Sequence, residues 1–220
     1  MIPDLGDRSL FPPFLELPED HGASSSSIGS VGVDRILLAQ VKDNMTITKP
    51  TLVLTDRDGH GFALVFDGLD RDGLDLNKLG LKKGATAVVH GARQTVPEQK
   101  NTDETLTAKA ARRQFLRVAP GQVHTVQAVP TGLEQTVALA AKLREQQQRT
   151  LAEGTYHCEA CGVSGTSNTS ELDPAAKKLL KCTGCGHAWY CDRTCQTKGW
   201  SNGHKSECKA LKALSTIWSQ

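Results

Sequence analysis

The stretch that decides the fold reads CTGCGHAWYCDRTCQTKGWSNGHKSEC and runs from Cys182 to Cys208. A second short stretch, CEAC, lies upstream at residues 158–161. Together they contain four closely spaced pairs of metal-binding residues: Cys158 and Cys161, Cys182 and Cys185, Cys191 and Cys195, and His204 and Cys208. A short turn between paired ligands lets both donor atoms point at one ion, so this spacing is typical of zinc sites.

These eight ligands predict two zinc ions, because each tetrahedral Zn²⁺ takes four thiolate or imidazole ligands. All seven cysteines of the chain belong to the four pairs, so no thiol is left over as a catalytic nucleophile. Sites with four protein ligands leave no open position for water, and we therefore expect both ions to stabilise the fold and not to catalyse a reaction. His157 and His187 lie beside the pairs in the sequence but fall outside the pattern.

The composition limits the functions that the rest of the chain can have. The chain has 220 residues, of which 38% are hydrophobic and 23% charged, enough for one modest core and a small module. Its net charge is +2, so it lacks the strongly basic field of a protein dedicated to duplex nucleic acid. Only 5% of the residues are aromatic, which leaves little material for extended base-stacking surfaces.

The sequence also limits the location of the protein. No apolar run approaches the roughly 18 residues that a membrane-spanning helix needs. Residues 1–20 are acidic and contain prolines, unlike a secretory signal peptide. All cysteines lie between Cys158 and Cys208, and this clustering favours metal binding over disulfides. We therefore expect a nuclear or cytoplasmic protein with no membrane partner.

The amino-terminal part of the chain predicts a small β domain that follows a tail. Residues 1–31 combine prolines, acidic side chains and a run of four serines, which is typical of a disordered segment. Residues 32–130 contain short apolar runs separated by turn residues, and the turn at Asp56–Gly61 predicts a hairpin. About five strands, with a short helix at Leu74–Leu81 between the third and the fourth, indicate a small OB-like β-barrel.

Residues 131–153 predict a helix that links this domain to the cysteine-rich region. Thr131 can cap its first turn, and Glu134 follows three residues later, as in a capping box. Its side chains at helical spacing form a narrow stripe: Leu133, Val137, Ala140, Ala141, Arg144, Gln148 and Leu151. We thus predict an α+β protein with a barrel, a linking helix and a zinc-bound domain with short helices at 154–212, followed by a C-terminal tail at 213–220.

The cysteine-rich region resembles a MYND-type zinc finger. The resemblance rests on the ligand pairs and on four further positions that such fingers share: Tyr190, Gln196, Trp200 and Lys205. It implies that the pairs are interleaved, with Cys158, Cys161, Cys191 and Cys195 on one ion and Cys182, Cys185, His204 and Cys208 on the other. The 20 residues from 162 to 181, between the first two pairs, make a longer spacing than the family usually has.

The resemblance implies a protein-interaction module that binds short proline-rich segments. The family's groove corresponds here to Thr183, Gln196 and Trp200, which we predict to contact the peptide. A flat indole suits an extended proline-rich chain, because such a ligand is already stiff and loses little entropy on binding. Trp200 alternatively covers the zinc core, and one tryptophan can do both. The chain is then an adaptor that recruits proline-rich partners, with transcription regulation as its expected setting.

Single-stranded nucleic-acid binding through the barrel is the alternative function. Its basic candidates near the last strands are Lys109, Arg112, Arg113 and Arg117. Phe62, Phe66 and Phe115 are candidates for stacking on bases, although aromatic residues at alternating strand positions more often belong to a core. The competing interpretation is a solvated rim of charges on a barrel that serves as a scaffold.

No catalytic residues are predicted. Some MYND fingers occur in SET-type lysine methyltransferases, but this sequence contains none of that domain's motifs. RING-type ubiquitin ligases also use eight interleaved ligands, yet their histidine falls in the middle of the series, whereas His204 is the seventh ligand here. We therefore predict a non-enzymatic protein with no small-molecule substrate.

A proline-flanked apolar segment, PPFLELP, lies near the N-terminus at residues 12–18. Grooves for proline-rich peptides accept segments of this kind, so the segment is a candidate ligand for a MYND groove, in the same chain or in another copy. The alternative is that the segment packs on its own domain.

Overall fold

The structure is a computed structural model that describes four stretches of the chain, residues 1–20, 35–95, 115–167 and 177–219. It divides into two compact units. The N-terminal unit is Gly6–Leu133, and the C-terminal unit combines Met1–Leu5 with Glu134–Gln220. The described residues contain both strands and helices, which confirms the predicted α+β class. Among them, no helix is long and apolar enough to cross a membrane.

An eight-stranded sheet makes up most of the N-terminal unit. Its strands are β1 (Glu19–Asp20), β2 (Ile36–Asn44), β3 (Thr51–Asp56), β4 (Gly61–Phe66), β5 (Thr86–His90), β6 (Gln94–Thr95), β7 (Phe115–Val118) and β8 (Val126–Val129). Their order across the sheet is β1-β6-β7-β4-β3-β2-β5-β8. Strands β2, β3 and β4 form an antiparallel meander, β5 pairs antiparallel with β2, and β7 pairs parallel with β4.

The sheet curls because one chain segment pairs with both sides of the meander. Strand β5 pairs with β2, and after only Gly91, Ala92 and Arg93 the chain continues as β6. Strand β6 pairs with β7, which lies on the far side of the meander. The pairing therefore leads from β2 through β3, β4, β7 and β6 back to β5. This curled sheet confirms the predicted β part of the fold, and β1 and β8 lie at the two ends of the strand order.

Alternating burial directs one face of the strands into a core. The inward side chains of β3 and β4 are all buried: Leu52, Leu54, Phe62, Leu64 and Phe66. The residues between them are only partly buried. This period of two is what a strand with one face on a core requires, and it places the phenylalanines of β4 in the core.

The predicted hairpin at Asp56–Gly61 connects β3 to β4. The buried Asp56 carboxylate accepts hydrogen bonds from the backbone amides of Asp58 at 3.0 Å and His60 at 2.8 Å. Gly59 has a φ of 81°, a left-handed conformation that glycine adopts without strain. The turn therefore has the residue types that its geometry needs.

The short helix predicted at Leu74–Leu81 is wrong, because this segment forms turns. The Asp75 side chain accepts hydrogen bonds from the backbone amides of Asn77 at 3.0 Å and Lys78 at 3.1 Å, which supports a local turn. Gly80 then adopts a φ of 78°, which lies outside the helical region. These local interactions outweigh the weak helical spacing of the leucines.

The start of the chain differs from the disordered tail predicted at 1–31. A 3-10 helix is present at Phe14–Glu16, and the side chains of Phe11 and Phe14 are fully buried. The Phe14 ring stacks on the Phe62 ring, with the two centroids 4.1 Å apart. Aromatic burial thus orders the described part of that tail, and the remainder lies outside the described residues.

Two buried side chains of the sheet supply hydrogen-bond partners for this N-terminal segment. The Asp56 carboxylate accepts a hydrogen bond from the Phe14 amide at 2.8 Å. The Gln94 side-chain amide donates to the carbonyl oxygens of Phe14 at 2.8 Å and Leu17 at 3.2 Å. Such partners satisfy backbone groups that would otherwise be buried alone. The PPFLELP segment therefore packs on its own unit, which is the second of the two interpretations of that segment.

Helix α1 spans Leu133–Glu153, close to the predicted bounds, but its buried face differs from the predicted stripe. The buried residues are Leu133, Thr136, Leu139, Ala140 and Leu143. Ala141 is exposed, and Leu151 has 73% of its surface exposed. From Glu134 onward the helix belongs to the C-terminal unit, so it is an integral part of that unit.

Short strands and two helices form the rest of the C-terminal unit. They are β9 (Tyr156–His157), β10 (Ser164–Gly165), β11 (Leu180–Lys181), β12 (Trp189–Tyr190), α2 (Arg193–Gly199) and α3 (Lys205–Ile217). Strand β9 pairs antiparallel with β10, and β11 pairs antiparallel with β12. A five-residue turn at Trp200–His204 joins the two helices, and the chain kinks there at Gly203, whose φ is 130°. This kink changes the direction of the chain just before His204.

Candidate metal centre

The eight predicted ligands converge in the structure as two groups of four. The first group consists of Cys158, Cys161, Cys191 and Cys195, and the second of Cys182, Cys185, His204 and Cys208. Within each group the ligand atoms all lie within 4.8 Å of one another. The structure thus has the interleaved arrangement that the family resemblance implied.

The spacing of the sulfur atoms fits tetrahedral zinc. With Zn–S bonds of about 2.3 Å, a tetrahedron has sulfur–sulfur edges of about 3.8 Å. The Sγ atoms of Cys161 and Cys191 in the first group are 3.5 Å apart. Those of Cys182 and Cys208 in the second group are 3.9 Å apart. Both groups are therefore close to the size that one zinc ion requires.

The histidine completes the second group through its Nε2 atom. This atom lies 3.3 Å from the Cys182 Sγ and 3.7 Å from the Cys185 Sγ. A tetrahedral site has nitrogen–sulfur edges of about 3.6 Å. Thiolate and imidazole are also the ligand types that zinc prefers. The donor sets thus confirm the prediction of two zinc ions, each in a closed four-ligand site of the structural type.

Turns and a helix cap hold the ligands of the first group. The Cys158 carbonyl accepts a hydrogen bond from the Gly162 amide at 2.8 Å, and this closes the turn that brings Cys161 beside it. Cys195 lies in the first turn of α2, where its amide donates to the side chain of the N-cap residue Asp192 at 2.9 Å. The cap satisfies a backbone donor that the helix leaves open, so it fixes the ligand and the helix together.

A tight knuckle holds the first two ligands of the second group. The Gly186 amide donates to the Cys182 carbonyl at 2.8 Å, which closes the turn around Cys185. A Cβ atom at Gly184 would lie only 2.9 Å from the Sγ of Cys208, so a side chain at this position would displace a ligand. Glycine is therefore required inside the knuckle.

Backbone amides favour the thiolate form at one ligand of each group. Burial raises the pKa of Cys158, but hydrogen bonds from the amides of Ala160, Cys161 and Cys191 outweigh this effect and bring the pKa to about 6. Burial likewise raises the pKa of Cys182, and the amides of its own knuckle reverse the shift, so that this pKa falls below its ordinary value. These two thiols lose their protons most readily when a metal ion binds.

Other ligands hold their protons more tightly in the metal-free protein. Burial and the neighbouring sulfur atoms raise the pKa values of Cys195 and Cys208 to about 12. Because a metal ion binds the thiolate, zinc must displace these protons, and falling pH weakens its binding. Metal affinity is therefore coupled to pH in both groups.

The two groups differ in their exposure to solvent. All four ligands of the second group are buried. In the first group only Cys158 is buried, Cys191 and Cys195 are partly buried, and Cys161 is exposed. Solvent and competing ligands thus reach the first ion more easily than the second.

Two aromatic rings flank the zinc ligand His204. The rings of Tyr190 and Trp200 meet its ring edge-on, with centroid distances of 6.0 and 5.8 Å. Tyr190 is 1% exposed, and burial raises the pKa of its hydroxyl. A Cβ atom at Gly199 would lie 2.5 Å from the Tyr190 ring, so helix α2 approaches this ring at a glycine. Sequence reasoning missed Gly199, because nothing local marks its contact.

The predicted peptide-contact residues lie beside both groups: Trp200 packs against His204 of the second group, and Gln196 directly follows Cys195 of the first. Trp200 has 40% of its surface exposed and lines a cavity of about 600 Å³ together with Lys205. Its backbone amide donates to the Gln196 carbonyl, so the two residues are one helical turn apart. Thr183 is exposed in the knuckle, directly after Cys182.

Helix α1 contributes residues that sequence reasoning also missed. The Lys142 ammonium lies 3.0 Å from a carboxylate oxygen of Glu159 and 3.5 Å from one of Glu207. Burial lowers the pKa of Lys142, but the two carboxylates outweigh it and keep the pKa above its ordinary value. The Gln146 side-chain amide donates to the His187 carbonyl at 2.9 Å. A charged and an amide side chain thus hold the helix against the metal-binding region.

The described residues give little support to the alternative nucleic-acid surface. Phe62 and Phe66 are buried in the core, where they cannot stack on bases. Arg117 pairs with Asp67 at 2.9 Å and also lies over the Phe115 ring. The other basic candidates lie outside the described residues: Lys109, Arg112 and Arg113.

Comparisons with known proteins identify the metal-binding region. The family model described as MYND finger matches residues 158–208. Human histone-lysine N-methyltransferase SMYD1 is 56% identical over 41 residues, 19% of this chain and 8% of that protein. Arabidopsis thaliana histone-lysine N-methyltransferase ASHR1 is 41% identical over 56 residues, 24% of this chain and 12% of that protein. Ubiquitin carboxyl-terminal hydrolase 19 of the same plant is 29% identical over 70 residues, 32% of this chain and 8% of that protein.

The likeness is thus short, since this chain spans only 8% to 12% of the length of these relatives. The family match at residues 158–208 coincides with the two closed ligand groups, which leave no open metal position for catalysis. The ligand geometry and the family match therefore lead to one conclusion: residues 158–208 are a MYND finger, a non-catalytic zinc-binding module of protein–protein interaction.

Proposed function

We propose that this protein is a non-enzymatic adaptor that recruits partners carrying short proline-rich segments. Trp200 carries the proposal, because 40% of its surface is exposed although its ring packs edge-on against the zinc ligand His204. An indole that is held rigidly and still faces solvent offers a large apolar contact at little entropic cost. One side of the ring covers the metal site, and the other meets the ligand.

The chemistry of a proline-rich segment suits this surface. Such a segment is already extended and stiff, so little entropy is lost when it lies on the indole. Prolines lack an N–H group, which leaves carbonyl oxygens as the main polar groups of the ligand backbone. The Gln196 amide, one helical turn before Trp200, donates to one of these oxygens. The Thr183 hydroxyl in the exposed knuckle donates to another.

The proposed setting is transcription regulation, in the nucleus or the cytoplasm. Two of the relatives are named histone-lysine N-methyltransferases, which supports a role near chromatin. The likeness covers the finger, so interaction and not methyl transfer is what carries over to this chain. In this role both zinc ions are structural, and no residue of the finger acts on a small-molecule substrate.

Calorimetric titration of the zinc-loaded protein with a proline-rich decapeptide tests the proposal. We expect measurable binding, and we expect Trp200→Ala to weaken it about tenfold or more, as for a central aromatic contact. Gln196→Ala should weaken it less, because it removes one hydrogen bond. Lys198→Ala is the matched control, since Lys198 is an exposed residue of the same helix. Absence of binding, or equal binding by Trp200→Ala and the wild type, would refute the proposal.

A further inference from the structure

A second cavity lies within the C-terminal unit, between helix α1 and the strands of the finger. Its volume is about 590 Å³. Leu143 and Leu151 of the helix line it together with Tyr156 and Trp189. None of these residues lines the cavity beside Trp200. The second cavity is therefore separate from the surface that we assign to proline-rich ligands.

The walls of this cavity are already in place. The rings of Tyr156 and Trp189 stack with centroids 4.0 Å apart and an angle of 24° between their planes. The hydrogen bond from the Gln146 side chain to the His187 carbonyl holds the helix beside the knuckle. Binding in a preformed cavity avoids the cost of ordering its walls.

An exposed leucine stands at the edge of this preformed cavity. Leu151 has 73% of its surface in contact with solvent, more than most large apolar side chains of the described residues. It lies in the last turns of α1, beyond the part of the helix whose residues are buried. An exposed apolar side chain beside an aromatic pair marks a surface that gains free energy when a ligand covers it.

The charge of the cavity is one-sided. Lys181 lines it and supplies its positive charge, and no aspartate or glutamate occurs among its described lining residues. Lys142 of α1, in contrast, forms ion pairs with Glu159 and Glu207. Lys181 is exposed and has no such carboxylate partner within the described part of the chain. The cavity thus combines an apolar interior with an uncompensated positive charge.

We propose that this cavity docks a short segment of a partner protein in which an apolar side chain adjoins a carboxylate. The apolar side chain enters between Leu151 and the aromatic pair, and the carboxylate pairs with Lys181. Charge complementarity selects an acidic partner, and burial of apolar surface supplies most of the affinity. The C-terminal unit then has two interaction surfaces for ligands of different chemistry, so the inference goes beyond the adaptor function proposed above.

Selection from a random dodecapeptide phage library on the immobilised, zinc-loaded full chain tests this inference. We expect one class of selected peptides in which an apolar residue lies next to an aspartate or glutamate. Leu151→Glu and Lys181→Glu should each weaken these peptides about tenfold or more, because they remove apolar contact and reverse the charge. Both residues are exposed, so the variants should keep their zinc and their fold.

Matched controls separate this cavity from its surroundings and from the Trp200 surface. Leu180→Glu and Lys178→Glu change exposed residues that do not line the cavity, and they should leave binding unchanged. Trp200→Ala should also leave it unchanged. A peptide with lysine in place of its acidic residue should regain binding to Lys181→Glu.

Three results would overturn the inference. The first is that the selection yields no peptides with an apolar residue next to an acidic one. The second is that the selected peptides bind Leu151→Glu and Lys181→Glu as tightly as the wild type. The third is that Trp200→Ala abolishes their binding. The last result would assign the peptides to the Trp200 surface. Failure of the decapeptide to bind, in contrast, would refute the adaptor proposal and leave this inference intact.

Discussion

Single glycines set how closely the backbone approaches the metal ligands and their supports. Gly184 leaves room for the Cys208 sulfur, and Gly199 leaves room for the Tyr190 ring. Tyr190 in turn lies edge-on to the ligand His204. A side chain added at Gly199 would therefore displace the Tyr190 ring, and this ring contacts a ligand of the second metal site. Interiors are close-packed, and a buried ring cannot move away from a new methyl group without disturbing its neighbours.

The variant Gly199→Ala tests this close approach. Alanine would gain up to about 1 kcal/mol of helix propensity, but the clash with the rigid Tyr190 ring should cost more. We expect a net loss of about 1–3 kcal/mol in the free energy of unfolding, as for other overpacked sites. Thermal unfolding of the zinc-loaded protein, followed by circular dichroism, measures it. Lys198→Ala serves as the control, and equal midpoints for the two variants would show that the glycine is dispensable.

The helices and turns of the finger bury the ligands of one metal site more fully than those of the other. The second group lies between a knuckle and helix α3, and all its ligands are buried. The first group depends on the turn after β9 and on the capped start of α2, and it exposes Cys161. Because a chelator must reach the ion or wait for a local opening, exposure decides the order in which the ions leave.

We therefore predict that a strong chelator removes zinc in two phases. Native mass spectrometry should find two zinc ions per chain at the start and one after the faster phase. The variant Cys161→Ser should hold one ion, since only the first group loses a ligand, whereas Cys185→Ser should also unfold the surroundings of α3. One ion or none in the untreated protein would contradict the eight-ligand assignment, and release of both ions in a single phase would contradict the unequal exposure.

On the scale of the whole molecule, the N-terminal segment belongs to the core of its unit. Phe14 is fully buried, and its ring stacks on the Phe62 ring. The side chains of Asp56 and Gln94 form hydrogen bonds with the Phe14 backbone. The neighbouring Leu15 is 56% exposed and makes a matched control. This segment therefore stabilises the N-terminal unit, and the metal centre belongs to the other unit.

Phe14→Ala tests this division of the chain. Removing a buried phenylalanine should cost about 3–5 kcal/mol in the free energy of unfolding, whereas Leu15→Ala should cost little. The zinc content should remain two ions per chain in both variants, because all eight assigned ligands lie in the C-terminal unit. Thermal unfolding and zinc analysis measure the two effects. If Phe14→Ala unfolds at the same temperature as Leu15→Ala, the segment behaves as a tail and the account of the N-terminal unit is wrong.

Local patterns predicted those parts of the fold that depend on local chemistry. The ligand spacing predicted both zinc groups, and the Asp and Gly residues of the Asp56–Gly61 turn predicted the hairpin. The N-terminal segment was harder to predict, since Phe14 finds its partners more than forty residues away in sequence. The face of α1 was missed for a similar reason, because Thr136 is buried while Leu151 is exposed. Long-range packing decided both, and no local signal reports it.

The central claim is that the finger binds proline-rich segments at Trp200. The most direct test records amide NMR spectra of the zinc-loaded protein while the proline-rich decapeptide is added. The account predicts shifts concentrated around Thr183, Gln196 and Trp200, with the N-terminal unit unchanged. Absence of shifts, or shifts confined to the N-terminal unit, would contradict it.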